Sequence, residues 1–285
     1  MKSIISRMTI VIVIMFTITI ANAQKAVELT YNLNVGDKYE FNTELNQDIS
    51  FDANGQTMTL EQVMSFQMGT QVISIADGLI TQDLKFDKVS MNQQIFGMEL
   101  NYNSEDESTW TGMGAQIADQ FNKIIGVSIN FGMDNKGNIV EIDLSELKGV
   151  DDLTNNLTSG SNFALYPKGD IKVGETWERN IKPLKDSEMR VFMKYTLLKI
   201  TKKQVIISLD GTLSGNVVDG TEVKLDGTTG GELIVDRNTG MLVNSTMDID
   251  LTIEIEQQGM KIPANIVSTS ATTVVKKNNL NFNLS

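Results

Sequence analysis

The sequence predicts a mainly β protein of the α+β class, built from antiparallel sheets with one or two short helices. Three observations indicate this fold: apolar and polar residues alternate over long stretches, turn dipeptides separate those stretches, and one segment changes to a helical spacing. The strands form either two related β-rich halves or one long curved half-barrel sheet. The sequence is compatible with both arrangements.

The chain begins with the pattern of a secretory signal peptide. Lys2 and Arg7 form a basic start, residues 8–20 are apolar or hydroxyl-bearing, and small residues lead up to Ala23. We therefore assign residues 1–23 to a signal peptide that is cleaved after Ala23, and we expect export to the periplasm or the cell exterior. The apolar run is shorter than the ~20 residues that a membrane helix needs, and no span is expected in the mature chain.

The composition excludes several classes of function. The chain has no His and no Cys, which rules out Ser-His-Asp and Cys-His triads, the HExxH zinc motif and disulfides. Its net charge of −12 becomes about −14 without the two basic residues of the signal peptide. Such an acidic surface repels phosphate backbones, so nucleic acid is not an expected partner. We expect a non-enzymatic protein without a cofactor or a metal.

The N-terminal half, residues 24–160, is expected to be rich in strands. Its first strand shows strict alternation of apolar and polar residues and ends at the Gly36-Asp37 turn. Asn54-Gly55 then predicts a tight hairpin, because both residues tolerate a positive φ. The strands predicted in this half are 27–35, 39–51, 58–68, 71–75, 79–89, 127–131 and 139–142.

One segment of this half departs from the strand period. Apolar residues from Met113 to Ile124 recur every three or four positions, which predicts an amphipathic helix over residues 112–125 that is ended by Gly126. A weaker helical pattern covers residues 145–157, where a glycine lowers helix propensity.

The C-terminal half, residues 161–285, follows a polar stretch at 158–162 that predicts a hinge. Its clearest strand runs from Val243 to Ile255, where apolar residues alternate with hydroxyl, acidic and amide residues. The strands predicted in this half are 189–200, 204–213, 221–225, 243–255 and 262–275.

Two turns indicate that the halves are related. Val35-Gly36-Asp37-Lys38-Tyr39 and Val173-Gly174-Glu175-Thr176-Trp177 each place an aromatic residue after a Gly-acid turn. Hairpins at 134–137 and 236–240 also resemble each other. Duplication and independent turn chemistry both stay open, because the spacing between turn and hairpin differs in the two halves. These hairpins do not match the spacing of a calcium loop, so no metal site is predicted.

Candidate binding residues are apolar side chains at positions expected to face the core. The 15 Met residues are scattered along the chain, which favours core packing over copper(I) binding by converging thioethers. A third interpretation is a flexible cleft, lined by Met and Phe and closed by the helix, for an apolar ligand. The residues assigned to that cleft are Met64, Phe66, Met68, Phe121, Ile124 and Met247.

The first turn, the segment Leu165-Tyr166-Pro167 and the second turn after it, together with the signal peptide, resemble an uncharacterised domain-of-unknown-function family of exported Bacteroidota proteins. The resemblance covers nearly the whole mature chain and implies a Gram-negative periplasm or exterior. It supplies no catalytic or binding residues. More loosely, a sheet crossed by helices resembles the half-barrels that carry lipoproteins and lipids through the periplasm, which is a likeness of fold.

Two functions are compatible with these observations. In the first, the protein binds an apolar small molecule, lipid or lipoprotein-like, in the cleft lined by Met and Phe. In the second, it is a structural or protein-interaction module of the cell envelope, with a filled core and an envelope protein as its partner. The sequence favours the non-enzymatic binding role.

Overall fold

The computed structural model is mainly β. The residues that it describes are 26–53, 56–95, 97–112, 114–147, 163–181, 188–218, 221–257 and 260–277. The predicted signal peptide, the predicted hinge at 158–162 and residues 148–157 of the weaker predicted helix lie outside them. Ser145 and Glu146, at the start of that predicted helix, form a turn.

The described residues contain fourteen strands, one α-helix and one 3-10 helix. The α-helix, α1, is Gly114–Phe121, and the 3-10 helix, Glu107–Thr109, precedes it. The strands are β1 Val27–Glu28, β2 Lys38–Ala53, β3 Gln56–Ala76, β4 Leu79–Ile95, β5 Met98–Asn103, β6 Ile129–Asp134, β7 Ile139–Asp143, β8 Asp170–Ile171, β9 Thr176–Ile181, β10 Arg190–Ile200, β11 Gln204–Val218, β12 Thr221–Asp236, β13 Leu242–Gln257 and β14 Met260–Lys277.

Twelve of these strands form one antiparallel sheet, which confirms the predicted fold class and favours one long sheet over two. The order across it is β7-β6-β4-β3-β2-β14-β13-β12-β11-β10-β9, and β5 pairs with the second half of β4. The two halves of the chain meet where β14 pairs with β2, from Ala264 opposite Phe51 to Lys277 opposite Lys38. The sheet is not closed, and β1 and β8 form a separate short ladder.

The long strands have one apolar face and one polar face, as their period of two predicts. On β2, Tyr39 and Phe41 are buried, whereas Glu44 and Asp48 on the opposite face are exposed. We call the apolar side the inner face and the polar side the outer face. The end of the sheet where β2 begins is the lower end, and the opposite end is the upper end.

The sheet curls tightly at its lower end. The Phe163 ring lies 5.2 Å from the Phe131 ring of β6, and the Trp177 indole of β9 donates a hydrogen bond to the Leu165 carbonyl at 2.7 Å. Strands β6 and β9 are separated by nine inter-strand spacings, which would amount to ~43 Å in a flat sheet. Residues 163–165 can reach over only ~7 Å. The sheet must therefore wrap around this segment.

Two segments without regular secondary structure, 29–33 and 163–167, fill the curled end, and we call them the plug. Tyr31 and Tyr166 are buried with their ring centroids 5.2 Å apart, and Tyr166 Oη donates to the Gly240 carbonyl. The Tyr31 backbone N–H donates to the Asn135 carbonyl at 2.8 Å. The first strand predicted at 27–35 was too long, because the backbone beyond Glu28 pairs with loops and not with a neighbouring strand.

The two turns that resemble each other in sequence also share their hydrogen bonds. Gly36 N–H donates to the Val72 carbonyl and Gly174 N–H to the Leu197 carbonyl, both at 2.8 Å, and the two glycines have φ values of 89° and 88°. In each turn the acid accepts a hydrogen bond from the backbone N–H three residues earlier, at 3.0 and 2.9 Å. Duplication would give this match, and so would similar turns alone, so duplication stays a prediction.

Alanine substitutions at two glycines test the plug. Gly137 and Gly36 have almost the same φ, 88° and 89°, but a Cβ at Gly137 would lie 2.3 Å from the Ala164 carbonyl oxygen, whereas one at Gly36 would meet nothing within 4 Å. Both variants impose backbone strain of about 1 kcal/mol. We expect Gly137→Ala to cost about 1–3 kcal/mol more, because it overpacks the plug. Urea unfolding measures the difference, and equal losses would contradict the packing described here.

An ion pair ties the end of β14 to the first turn, with Lys276 Nζ 2.7 Å from Asp37 Oδ1. Burial raises the pKa of Asp37, but hydrogen bonds from Lys276 and Asn34 outweigh it and hold the pKa below the usual 3.8. A lowered pKa gives stability that is present above the unfolded-state pKa and lost as pH falls through the folded-state value. We expect the melting temperature to fall more steeply below about pH 4 in wild type than in Asp37→Asn. Asp48→Asn, on the exposed face of β2, is the control and should keep the wild-type slope.

Candidate ligand-binding face

Above the plug, the inner face of the sheet is mostly half-buried. We call this surface the upper inner face, and it consists of every second residue of Leu45 to Phe51 on β2, Met58 to Met64 on β3, Met247 to Ile253 on β13 and Ala264 to Ser270 on β14. Leu251 and Ser268 are buried, and the other side chains are half-buried.

The strand registers align these side chains into rows across the sheet. One row runs through Tyr102, Met91, Met64, Leu45, Ser270 and Met247, on β5, β4, β3, β2, β14 and β13. Tyr102 and Met91 are buried, whereas the other four are half-buried. The row therefore leads from the packed core onto the upper inner face.

In the strand segments that form the upper inner face, charge is confined to the outer side. The upper inner face as defined contains no acidic or basic residue. The outer face of the same strands carries exposed acids, among them Glu44 and Asp48 on β2 and Asp248 and Asp250 on β13. Because successive side chains of a strand point to opposite faces, this division follows directly from the sequence. The result is an uncharged and largely apolar surface.

Helix α1 packs against one side of the inner face. The Phe121 ring stacks on the Tyr102 ring of β5, with centroids 5.6 Å apart and planes 20° apart, and it lies 6.5 Å from the Phe66 ring of β3. Tyr102 Oη and Asn122 Oδ1 form a hydrogen bond of 2.8 Å in which the hydroxyl donates. The helix is therefore fixed to the sheet both by ring stacking and by a polar contact.

The helix is shorter than the predicted range of 112–125. It ends at Phe121, and in the turn that follows, the N–H groups of Ile124 and Ile125 both donate to the Phe121 carbonyl, at 3.0 and 3.2 Å. Gly126, predicted to stop the helix, has a φ of 75° and donates its N–H to the Phe86 carbonyl of β4. The glycine thus directs the chain onto the sheet a few residues after the helix has ended.

The six residues predicted to line a cleft fall into two groups. Met68, Phe121 and Ile124 are buried, whereas Met64, Phe66 and Met247 are half-buried and pack against the edge of the core. The structure places Met64, Phe66 and Met68 together on the inner face of β3 and brings Phe121 beside Phe66. Met247 lies on β13, with β2 and β14 between it and Met64. Their role as ligand contacts stays a prediction.

The same face carries a row of uncharged polar side chains that was not predicted from the sequence. Gln93, Gln62, Gln47 and Ser268 lie opposite one another on β4, β3, β2 and β14, and we call them the polar row. Gln93 Nε2 donates to Gln62 Oε1 at 3.2 Å, and Gln47 Nε2 donates to Ser268 Oγ at 3.1 Å. One sequence signal could have indicated this row: Gln47 and Gln62 stand at alternate positions of their strands that are otherwise mostly apolar.

The hairpins that follow β6 and β12 use their aspartates to hold the loops. Asp134 accepts hydrogen bonds from the backbone N–H groups of Lys136 and Asn138, at 2.8 and 2.9 Å. Burial raises the pKa of Asp134, but its hydrogen bonds from Asn138 and from the loop backbone lower it below the usual value. Within the described ranges, no three His, Cys, Asp or Glu side chains are grouped to hold a metal ion. No described helix is long and apolar enough to cross a membrane.

Comparison with known proteins gives a match to one family and to one fold. The model of a family of unknown function (DUF6263) matches residues 159–242. No curated protein sequence matches the chain significantly. In a solved structure of lipid–protein interactions in lipovitellin, a region similar to this chain has a TM-score of 0.52 and 10% sequence identity, over 87% of this chain and 26% of that chain. The chain therefore spans about a quarter of the lipovitellin chain, and the likeness is one of fold.

Other solved structures are similar over most of their length but much less closely. The translocator domain of the autotransporter NalP from Neisseria meningitidis has a TM-score of 0.24 and 7% identity, over 85% of this chain and 90% of that chain. A domain described as an outer membrane lipoprotein-sorting protein from Vibrio parahaemolyticus has a TM-score of 0.16 and 8% identity, over 85% and 88%. Scores this low carry no argument about fold or function.

The variant Phe121→Ala tests how firmly α1 is held. The ring is 6% exposed, and its removal should cost about 3–5 kcal/mol in the free energy of unfolding. Val140→Ala on β7, where the side chain is 65% exposed, should change it by less than about 0.5 kcal/mol. Urea unfolding of both variants gives the comparison. Equal stability of the two would show that α1 is a loosely held lid and not part of the core.

Proposed function

We propose that this protein is an exported, non-enzymatic carrier that holds an apolar ligand of lipid type on its upper inner face. One observation carries the proposal: an uncharged, largely apolar sheet face remains mostly half-buried, although the plug fills the lower end of the same curl. Leu45, Ile49, Phe51, Met58 and Leu60 belong to neither hydrophobic cluster of the described residues. The largest apolar patch of a soluble protein is often functional.

The size of the face suits a lipid-type ligand. Its four strands are three inter-strand spacings wide, or ~14 Å, and residues 45–51 extend it over ~20 Å along the strand direction. These dimensions give a patch of a few hundred Å², about the size of the largest apolar patch on a typical monomer, which is often functional. The concave curl adds contact area on both sides of a bound chain.

The predicted cleft residues fit this proposal in two roles. Met64, Phe66 and Met247 are half-buried at the border of the face and would contact the ligand directly, where flexible thioethers can adapt to its shape. Met68, Phe121 and Ile124 are buried and would hold the contacting side chains in place. The fold likeness to a protein whose solved structure concerns lipid–protein interactions supports a lipid ligand.

The proposal includes export and an origin by duplication. The signal-peptide pattern supports cleavage after Ala23 and a periplasmic or extracellular location. A duplication that relates residues 24–160 to residues 161–285 would give the matching turns at Gly36 and Gly174. The absence of His and Cys from the sequence supports a role without catalysis.

A second candidate is a structural or protein-interaction module of the cell envelope. The filled lower end favours it, since Tyr166, Leu197 and Met241 are 1% exposed or less and leave no room for a ligand there. In that case the upper inner face would be covered by an envelope protein instead of a lipid.

Adjacent substitutions on β13 test the carrier proposal. Met247 faces inward and Thr246 is exposed on the outer face, so Met247→Glu and Thr246→Glu place the same charge on opposite sides of one strand. The neutral apolar dye N-phenyl-1-naphthylamine should bind wild type and Thr246→Glu equally. Met247→Glu should bind it about tenfold or more weakly, because an unpaired charge is costly in an apolar contact.

Urea unfolding shows whether Met247→Glu remains folded, and Met247→Gln is a milder second variant that should weaken dye binding to a smaller extent. A folded Met247→Glu protein that binds the dye like wild type would contradict the proposed site.

A further inference from the structure

The polar row divides the upper inner face into two apolar zones. Directly below it lies the row of Met64, Leu45, Ser270 and Met247, and directly above it lie Leu60, Ile49, Ile266 and Leu251. Above the polar row the apolar side chains continue from Gln47 to Phe51, ~13 Å toward the upper end. We call these side chains the apolar wall. A ligand on this face would therefore meet uncharged hydrogen-bonding groups at one level and apolar side chains above and below it.

The polar row has unused hydrogen-bonding capacity. Gln62 Nε2 donates to the Met64 thioether at 2.7 Å, and a thioether is a weak acceptor for an amide. Gln47 donates to Ser268, but among the described residues its Oε1 atom accepts no hydrogen bond. Each amide offers two donors and a carbonyl oxygen with two lone pairs, so both side chains could bind a further polar group.

A buried hydroxyl extends this level of the sheet onto β12. Thr229 lies opposite Ile249 in the same register row, it is 8% exposed, and its Oγ1 has no hydrogen-bond partner within the part of the chain that the structure describes. Polar atoms buried in this way normally have a partner. At the level of the polar row, polar groups on β2, β3 and β12 therefore lack strong hydrogen-bond partners.

We infer that the ligand is a neutral amphiphile, whose ester, amide or hydroxyl group binds the polar row while its apolar chain lies against the wall that rises to the upper end. The inference rests on the carrier function proposed above and specifies the class of ligand. A pure hydrocarbon would cover the amides of Gln47 and Gln62 and leave them without partners, which is unfavourable. An anionic group would be desolvated on a face with no basic residue to pair with it.

Three probes with similar chains test this class: 1-monooleoylglycerol, which carries an ester and two hydroxyls, oleate, which carries a carboxylate, and 1-octadecene, which has no polar group. Each displaces N-phenyl-1-naphthylamine from the full mature protein. We expect 1-monooleoylglycerol to bind at least tenfold more tightly than either of the others.

The variants Gln47→Leu and Gln62→Leu remove the amides at nearly constant volume. In each, the preference for 1-monooleoylglycerol over 1-octadecene should fall about tenfold, with 1-octadecene bound as tightly as before or more tightly. The matched control is Gln94→Leu, which changes an exposed glutamine on the outer face of β4 and should behave like wild type. Urea unfolding confirms that each variant is folded.

The outcomes separate this inference from the carrier proposal. If none of the three probes displaces the dye from wild type, the carrier function itself is contradicted. If all three bind with similar affinity, or if oleate binds best, the carrier function stands and the neutral amphiphile is excluded. An unchanged preference in folded Gln47→Leu and Gln62→Leu proteins would also overturn the role of the polar row.

Discussion

Contacts between the plug and strands far apart in the sheet hold the curl of this protein. The segment 163–167 reaches β6 through Phe163 and β9 through Leu165, while Tyr166 donates a hydrogen bond to the loop between β12 and β13. Each contact alone is modest, but together they join strands that would lie ~43 Å apart in a flat sheet. Without these contacts, little would hold a single-layer sheet curled around an apolar interior.

This constraint gives the two ends of the molecule different properties. At the lower end the plug supplies the apolar partners that the inner face needs, and side chains such as Tyr166 and Leu197 become fully buried. On the upper inner face the alternating pattern is the same, but only Leu251 and Ser268 are buried and the other side chains stay half-buried. Acids lie on the outer face of the same strands, so the curl keeps charge in water and away from the interior. The candidate binding surface lies where the sheet extends beyond the plug.

Much of this architecture could be predicted from the sequence because a strand's period of two assigns each residue to a face. The inward side of Met64 and Met247, the turn at Gly36 and the amphipathic helix before Gly126 all followed from local pattern. The pairing of β14 with β2 did not, since alternation fixes the face of a strand but not its neighbour. That pairing joins Lys38 to Lys277, and no local signal indicates it.

Two further features show where pattern and structure diverge. Residues 29–33 alternate like a strand, yet they lie in the plug because loop carbonyls and not a strand satisfy their backbone. Gln47 and Gln62 stand at alternate positions that are otherwise mostly apolar. In the sequence each is an exception to the alternation, and only the strand register places the two in one row. Both features depend on long-range contacts, which a single sequence does not encode in any periodic form.

Native mass spectrometry of the mature protein, purified without detergent from its own envelope fraction, shows whether the protein carries a lipid. We expect a mass above that of residues 24–285 by one neutral molecule of lipid size, and organic extraction should release this molecule and leave the bare chain. A bare mass at the value of residues 24–285, with no lipid recovered from the wash fractions, would contradict the carrier function and favour an interaction module whose upper inner face is covered by another protein.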